Sequence, residues 1–213
     1  MTAVRAVMRL MRNSRGSGTA EFALVLVPLL ILLLAVLDLG RIMYLSNEAQ
    51  KATQMGARFA IVTDILPAKL LAEDYVGKSF CGSAGTSVCT NGDLITSRAA
   101  LGPLTCDSTS CTCAPGATCP AAAAIDATAF TRLKTHMEHF YPGLAATNIV
   151  VIYSGSGLGY AGDPTGMDVV PLVTIKLRNL TYSPASLLSM TSFTMPSFPS
   201  TLTDESAVGT LSN

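Results

Sequence analysis

Residues 22–37 are an unbroken apolar run of sixteen, and no other feature of this 213-residue chain restricts its folding as severely. Wound as a helix at 1.5 Å per residue, the run is about 24 Å long, short of the roughly 30 Å hydrocarbon thickness of a bilayer. Continuing it through Ile42, Met43, Tyr44 and Leu45 brings it to about 36 Å, enough to span. The interruptions are Asp38 and Arg41, three residues apart, which a helix places on one face where they can pair near the outer interface. Only 13% of residues are charged, against about a quarter in ordinary soluble domains. The remaining length suffices for one domain outside the membrane and is tight for two.

The flanks of the run set its orientation. Arg5, Arg9, Arg12 and Arg15 precede it, and the first acidic residue is Glu21. By the positive-inside rule the N-terminus stays cytoplasmic and everything beyond the helix is exported. A secretory signal peptide also has a basic start and an apolar middle, but its apolar core is usually about 7–15 residues long and closes on a small-x-small site. Here the run goes on to Leu37 and is followed by Asp38, Leu39, Gly40 and Arg41. Cleavage after Gly16 would remove four of the fourteen basic residues and leave ten against fourteen acidic ones. That negative balance argues against a nucleic-acid partner.

At the start of the run, Gly16 stands five residues before Glu21, between the basic leader and the apolar stretch. A carboxylate at the edge of a hydrocarbon segment is costly unless neutralised. If the bond after Gly16 is cut, Ser17 gains a free amine and Glu21 becomes the fifth residue. The amine of one subunit can then pair with the carboxylate of a neighbour. The plainer alternative is that Glu21 sits in the head-group region, where water suffices.

Arg15-Gly16, the stretch Ala20-Glu21-Phe22-Ala23-Leu24, Pro28-Leu29-Leu30, Leu39-Gly40-Arg41 and Gly56-Ala57-Arg58 together resemble the TadE-like family of pilus assembly proteins. The resemblance covers residues 15–60. It implies a minor pseudopilin of a Tad (Flp) system, needed for building adhesive pili, with a type IV pilin-like N-terminal helix. It carries over Gly16 and Ser17 as the cleavage pair of a dedicated prepilin peptidase, and Glu21 with Phe22 as assembly residues. The implied partners are that peptidase, other pilins or pseudopilins, an inner-membrane assembly platform and the lipid bilayer. The implied location is the bacterial inner membrane, single-pass, with the C-terminal domain periplasmic.

Beyond the span, the helix is expected to run to Leu66, because no breaker occurs before Pro67. Met55, Phe59, Val62 and Leu66 form one stripe, and Ala52, Gly56 and Ala60 form a small-residue face suited to close packing. Either face could meet another pilin helix or the chain's own outer domain. The expected organisation is a leader over 1–16, the helix over 17–66 and a Gly/Ser/Cys-rich loop region over 67–120. A helix with a strand pair over 121–182 and a flexible segment over 183–213 follow.

All six cysteines, Cys81, Cys89, Cys106, Cys111, Cys113 and Cys119, fall in the loop region. An even set outside the membrane reads as up to three disulfides, with fifteen possible pairings. Zinc held by thiolates with His136 and His139 is the rival reading, weakened by the absence of a Cys-x2-Cys pair. The two histidines are expected on the solvent side of a helix that starts near residues 118–124 and ends before Pro142-Gly143. Residues 148–153 and 169–177 read as strands of an antiparallel pair joined by a glycine-rich loop. Within that loop Gly157, Gly159 and Gly162 have dinucleotide-fingerprint spacing, but Asp163-Pro164 follows where a helix would have to begin.

No catalytic constellation, metal site or cofactor motif emerges. The fold class is α+β: a long transmembrane helix, then a small extracytoplasmic α+β domain with an antiparallel strand pair and a cysteine-rich loop region. The function is a pilin-like assembly protein rather than an enzyme; the alternative is a permanently anchored periplasmic binding module that never enters a pilus.

Overall fold

The computed structural model describes residues 17–120, 124–164, 166–184 and 192–204. The leader 1–16, including Gly16, lies outside the described residues. The described residues fall into two compact units, one from the segments within 17–44 and 182–193, the other from those within 45–181 and 194–204.

A 44-residue helix, α1 (Ser17–Ala60), opens the described chain. Pro28 is accommodated inside it, at the expense of one amide donor, so the Leu24 carbonyl loses its usual partner one turn on. The helix stops six residues before the expected end at Leu66. After Ala60 the Val62 amide takes the Phe59 carbonyl in a tighter turn, and Thr63 Oγ1 donates to the same carbonyl at 2.8 Å. Leaving the helical path there lets Ile61, Ile65 and Leu66 all be buried, which a straight continuation along one stripe would not allow.

The second unit is built on a five-stranded antiparallel sheet whose strands, in spatial order, are β4 (Cys111–Cys113), β3 (Leu104–Cys106), β5 (Ile149–Gly159), β6 (Val169–Leu177) and β9 (Ser200–Thr203). Its centre is the anticipated pair, β5 (Ile149–Gly159) and β6 (Val169–Leu177), in register from Ile149 opposite Leu177 to Gly155 opposite Pro171. In β6 the odd-numbered positions are buried and the even-numbered ones only partly so, the period-two signature of a sheet with one core face. The pair does not stand alone. On one side lie β3 (Leu104–Cys106) and β4 (Cys111–Cys113), a hairpin from the cysteine-rich region. On the other side lies β9 (Ser200–Thr203), inside the stretch read as flexible. A separate hairpin joins β1 (Ser79–Cys81) to β2 (Ser87–Val88), and β7 (Thr181–Tyr182) pairs with β8 (Phe193–Thr194).

The second helix, α2 (Ala127–Glu138), begins later than the composition suggested. Asp126 is its N-cap, its carboxylate accepting from the Thr128 and Ala129 amides at 2.8 and 3.0 Å. Ahead of the cap, Ile125 forms a bridge with Pro67, so this part of the chain is extended. Residues 121–123, in the alanine run, lie outside the described residues. One face of α2, Ala129, Phe130, Leu133 and Met137, is buried at helical spacing.

Candidate functional site

The two halves of α1 present opposite surfaces. Over residues 22–44 most of its large apolar side chains are exposed, Phe22 by 65%, Leu24 by 76% and Leu32 by 66%. This stretch is long and apolar enough to cross a membrane, and no part of it is buried in the protein. So much contiguous exposed apolar surface fits a single-pass membrane helix. Ser17 is the first residue of α1 and Glu21 the fifth. Glu21 is exposed, one turn into the helix, where the positive end of the helix dipole favours a carboxylate.

At the other end of the stretch, Asp38 and Arg41 both meet Tyr182. The Tyr182 hydroxyl lies 3.2 Å from Asp38 Oδ1 and 3.3 Å from the Asp38 carbonyl, and the Arg41 guanidinium is 5.9 Å from the ring centroid. The sequence pointed to these two charges as a pair and gave no sign of the tyrosine, which is 144 residues from Asp38.

From residue 45 onward, α1 becomes a core helix of the second unit. Ala49, Ala52, Thr53, Gly56, Ala57 and Ala60 are buried along one stripe. A methyl group at Gly56 would stand 2.8 Å from Met137 Sδ, so the glycine lets α2 approach closely. The small-residue face is thus occupied by the chain's own outer domain. Phe59 stacks on His136 at 4.5 Å between centroids, and His136 meets Phe140 edge-on at 5.6 Å. His136 is therefore half-buried in an aromatic sandwich rather than solvent-facing, and burial, with the neighbouring His139, lowers its pKa below the ordinary value. His139 is exposed. Asp64 and Arg132 tie the end of α1 to α2 at 2.9 Å, and the Tyr153 hydroxyl accepts from the Leu66 amide at 3.2 Å from within the sheet. Burial pushes the Tyr153 phenol above its usual range, so it stays neutral.

The cysteines pair locally: Cys81 with Cys89, Cys106 with Cys111, and Cys113 with Cys119. Cys106–Cys111 joins β3 to β4 across a turn in which the Asp107 carboxylate accepts from the Thr109 and Ser110 amides. With their sulfurs bonded to one another, these residues are not thiolate ligands. Among the described residues no group of three or more His, Cys, Asp or Glu side chains is placed to hold a metal ion.

The glycine-rich loop is tied down by its backbone. Gly157 and Gly159 lie within β5, and a methyl at Gly159 would meet the Asp168 carbonyl at 2.0 Å. Asp168 is buried, and its carboxylate accepts from the amides of Tyr75 at 2.7 Å, Gly162 at 2.9 Å and Asp163 at 3.0 Å. These glycines serve close backbone packing, and among the described residues no helix follows them to receive a phosphate.

The model of the family described as TadE-like protein matches residues 16–58. This segment is TadE-like. It covers almost all of α1, both the exposed apolar half and the packed half, and none of the sheet. No curated protein and no solved structure matches the chain.

Proposed function

We propose that the protein is a minor pilin-like assembly component of a Tad/Flp-type pilus. In this reading it is held in the bacterial inner membrane by residues 22–45, with its sheet domain in the periplasm. A prepilin peptidase removes residues 1–16, and Ser17 becomes the new N-terminus. The apolar half of α1 then leaves lipid for the flank of other pilin helices on the assembly platform. The carrying observation is the division of one TadE-like helix into an exposed apolar half and a half rooted in the outer domain. Such a helix can exchange lipid for neighbours without disturbing the domain it carries. The TadE-like match over residues 16–58 supports a pilus-assembly role for the helix.

Glu21 is the residue on which this reading turns. It is the last charge before the apolar run, and in a bundle of helices its carboxylate is neutralised by the amine of an adjacent subunit. Glu21→Gln removes the charge with little change of shape. The expected outcome is normal abundance in the membrane with surface pili reduced to near the level of a strain lacking the protein. Undiminished piliation in the Glu21→Gln strain would favour a permanently anchored module instead.

A further inference from the structure

Beside residues 48–51 of α1 the outer domain presents two aromatic rings. If the span ends at Leu45, Glu48 and Lys51 stand only about 5 and 9 Å above that end, at 1.5 Å per residue. The polar layer of a bilayer leaflet adds roughly 5–7 Å beyond the hydrocarbon, so both residues lie in or just above it. Beside them is the chain that leaves α2. Lys51 Nζ is 5.4 Å from the Phe140 ring centroid, and the Glu48 carboxylate is near enough to Tyr141 to add to the effect of burial on its phenol.

Phe140 and Tyr141 are half-buried, and His139, Pro142 and Gly143 around them are exposed. Packing on His136 accounts for part of the Phe140 surface. It does not account for Tyr141, whose hydroxyl makes no hydrogen bond among the described residues. Aromatic rings with an apolar body and a polar tip concentrate at membrane interfaces, and an adjacent ammonium complements lipid phosphate.

We propose that Phe140 and Tyr141, with Lys51, rest among the phospholipid head groups of the bilayer that α1 crosses and seat the outer domain on it before assembly. This inference rests on the membrane-span reading given above. The occupant is the lipid interface: the site is reached by following α1 out of the hydrocarbon, and the Lys51 ammonium beside the Phe140 ring complements lipid phosphate. Seating holds this corner at the interface while the protein waits in the membrane. Extraction into a fibre would lift the corner out of the head groups.

The chain contains no tryptophan, so a single introduced one is an unambiguous reporter. Full-length Tyr141→Trp, Leu33→Trp and Leu158→Trp proteins are reconstituted separately into phosphatidylethanolamine and phosphatidylglycerol vesicles. The vesicles carry spin-labelled lipid with the label either near the head group or at the acyl-chain end. The expected result is loss of Tyr141→Trp emission with the shallow label and little with the deep one. Leu33→Trp should be quenched by the deep label, and Leu158→Trp, exposed elsewhere on the domain, by neither. Quenching of Leu33→Trp without any of Tyr141→Trp would overturn the seating while leaving the span intact. Quenching of neither would remove the span and the seating together. A Tyr141→Trp signal unaffected by lipid but shifted by an added partner pilin would assign the corner to protein contact and equally overturn the inference.

Discussion

Single residues in the outer domain have been chosen for backbone proximity and for aromatic packing, and both choices have measurable consequences. Gly155 lies in β5, where an added methyl would meet the Arg98 carbonyl oxygen at 2.3 Å and the Leu101 carbonyl oxygen at 3.0 Å. Because backbone atoms are the obstacle, no side chain can swing aside. Gly155→Ala should destabilise the full-length protein in detergent by about 1–3 kcal/mol, read as a fall in the denaturation midpoint. His136 makes stability depend on pH. Its folded pKa is depressed, first by burial and then by His139, so between that value and the ordinary value near 6.5 the unfolded chain binds more protons. Stability should therefore rise with pH across this window, and the loss should be complete once pH has fallen below the folded pKa. The Asp93 and Asp107 carboxyls, held low chiefly by hydrogen bonds from Thr90 and Thr109, contribute stability that is lost only at lower pH. Melting temperatures measured from pH 7.5 down to 5.5 should fall in the native protein and fall less in His136→Gln. Equal slopes would mean that the imidazole is not the titrating group.

At the scale of elements, the parts that the sequence disclosed are those whose signal is local. The apolar run announced α1, alternation of Val173, Ile175 and Leu177 with Thr174 and Lys176 announced β6, and Pro142-Gly143 marked the end of the α2 region. β9 was hidden because Ser200–Thr203 offers a single large apolar residue, Leu202. It joins the sheet through backbone pairing and a contact of 2.8 Å between the Thr201 and Thr174 hydroxyls, neither of which has a sequence signature. The start of α2 was misplaced because four alanines carry helix propensity, whereas the cap that sets the boundary is one carboxylate at Asp126. The cysteines disclosed that there are bridges, but not which ones, because pairing depends on where β3 and β4 fold back. Each closes a short loop, so in the chain-entropy account each stabilises by about 2 kcal/mol. Replacing Cys106 and Cys111 together by serine should lower the denaturation midpoint accordingly while the other two bridges remain. An unchanged midpoint would show that the β3–β4 turn, with its Asp107 hydrogen bonds, is sufficient without the covalent link.

For the whole molecule, one helix carries two kinds of surface. Its first half is apolar on every side, as lipid or a helical bundle requires, and its second half carries a narrow stripe of Ala, Thr and Gly against the outer domain. Glu21 stands out as an assembly candidate because it contradicts its surroundings, a charge one turn into the helix and directly before sixteen apolar residues. The Tyr182 contact with Asp38 and Arg41 was not legible in the sequence, since nothing near residue 182 signals which charges it will meet. The central claim is that the TadE-like helix is processed as a pilin. Coexpression of the full-length protein with its prepilin peptidase, followed by mass spectrometry of the membrane-bound N-terminus, tests it directly. The expected product begins at Ser17 and is lost when Gly16→Val is introduced. An intact Met1 in the presence of active peptidase would contradict the account.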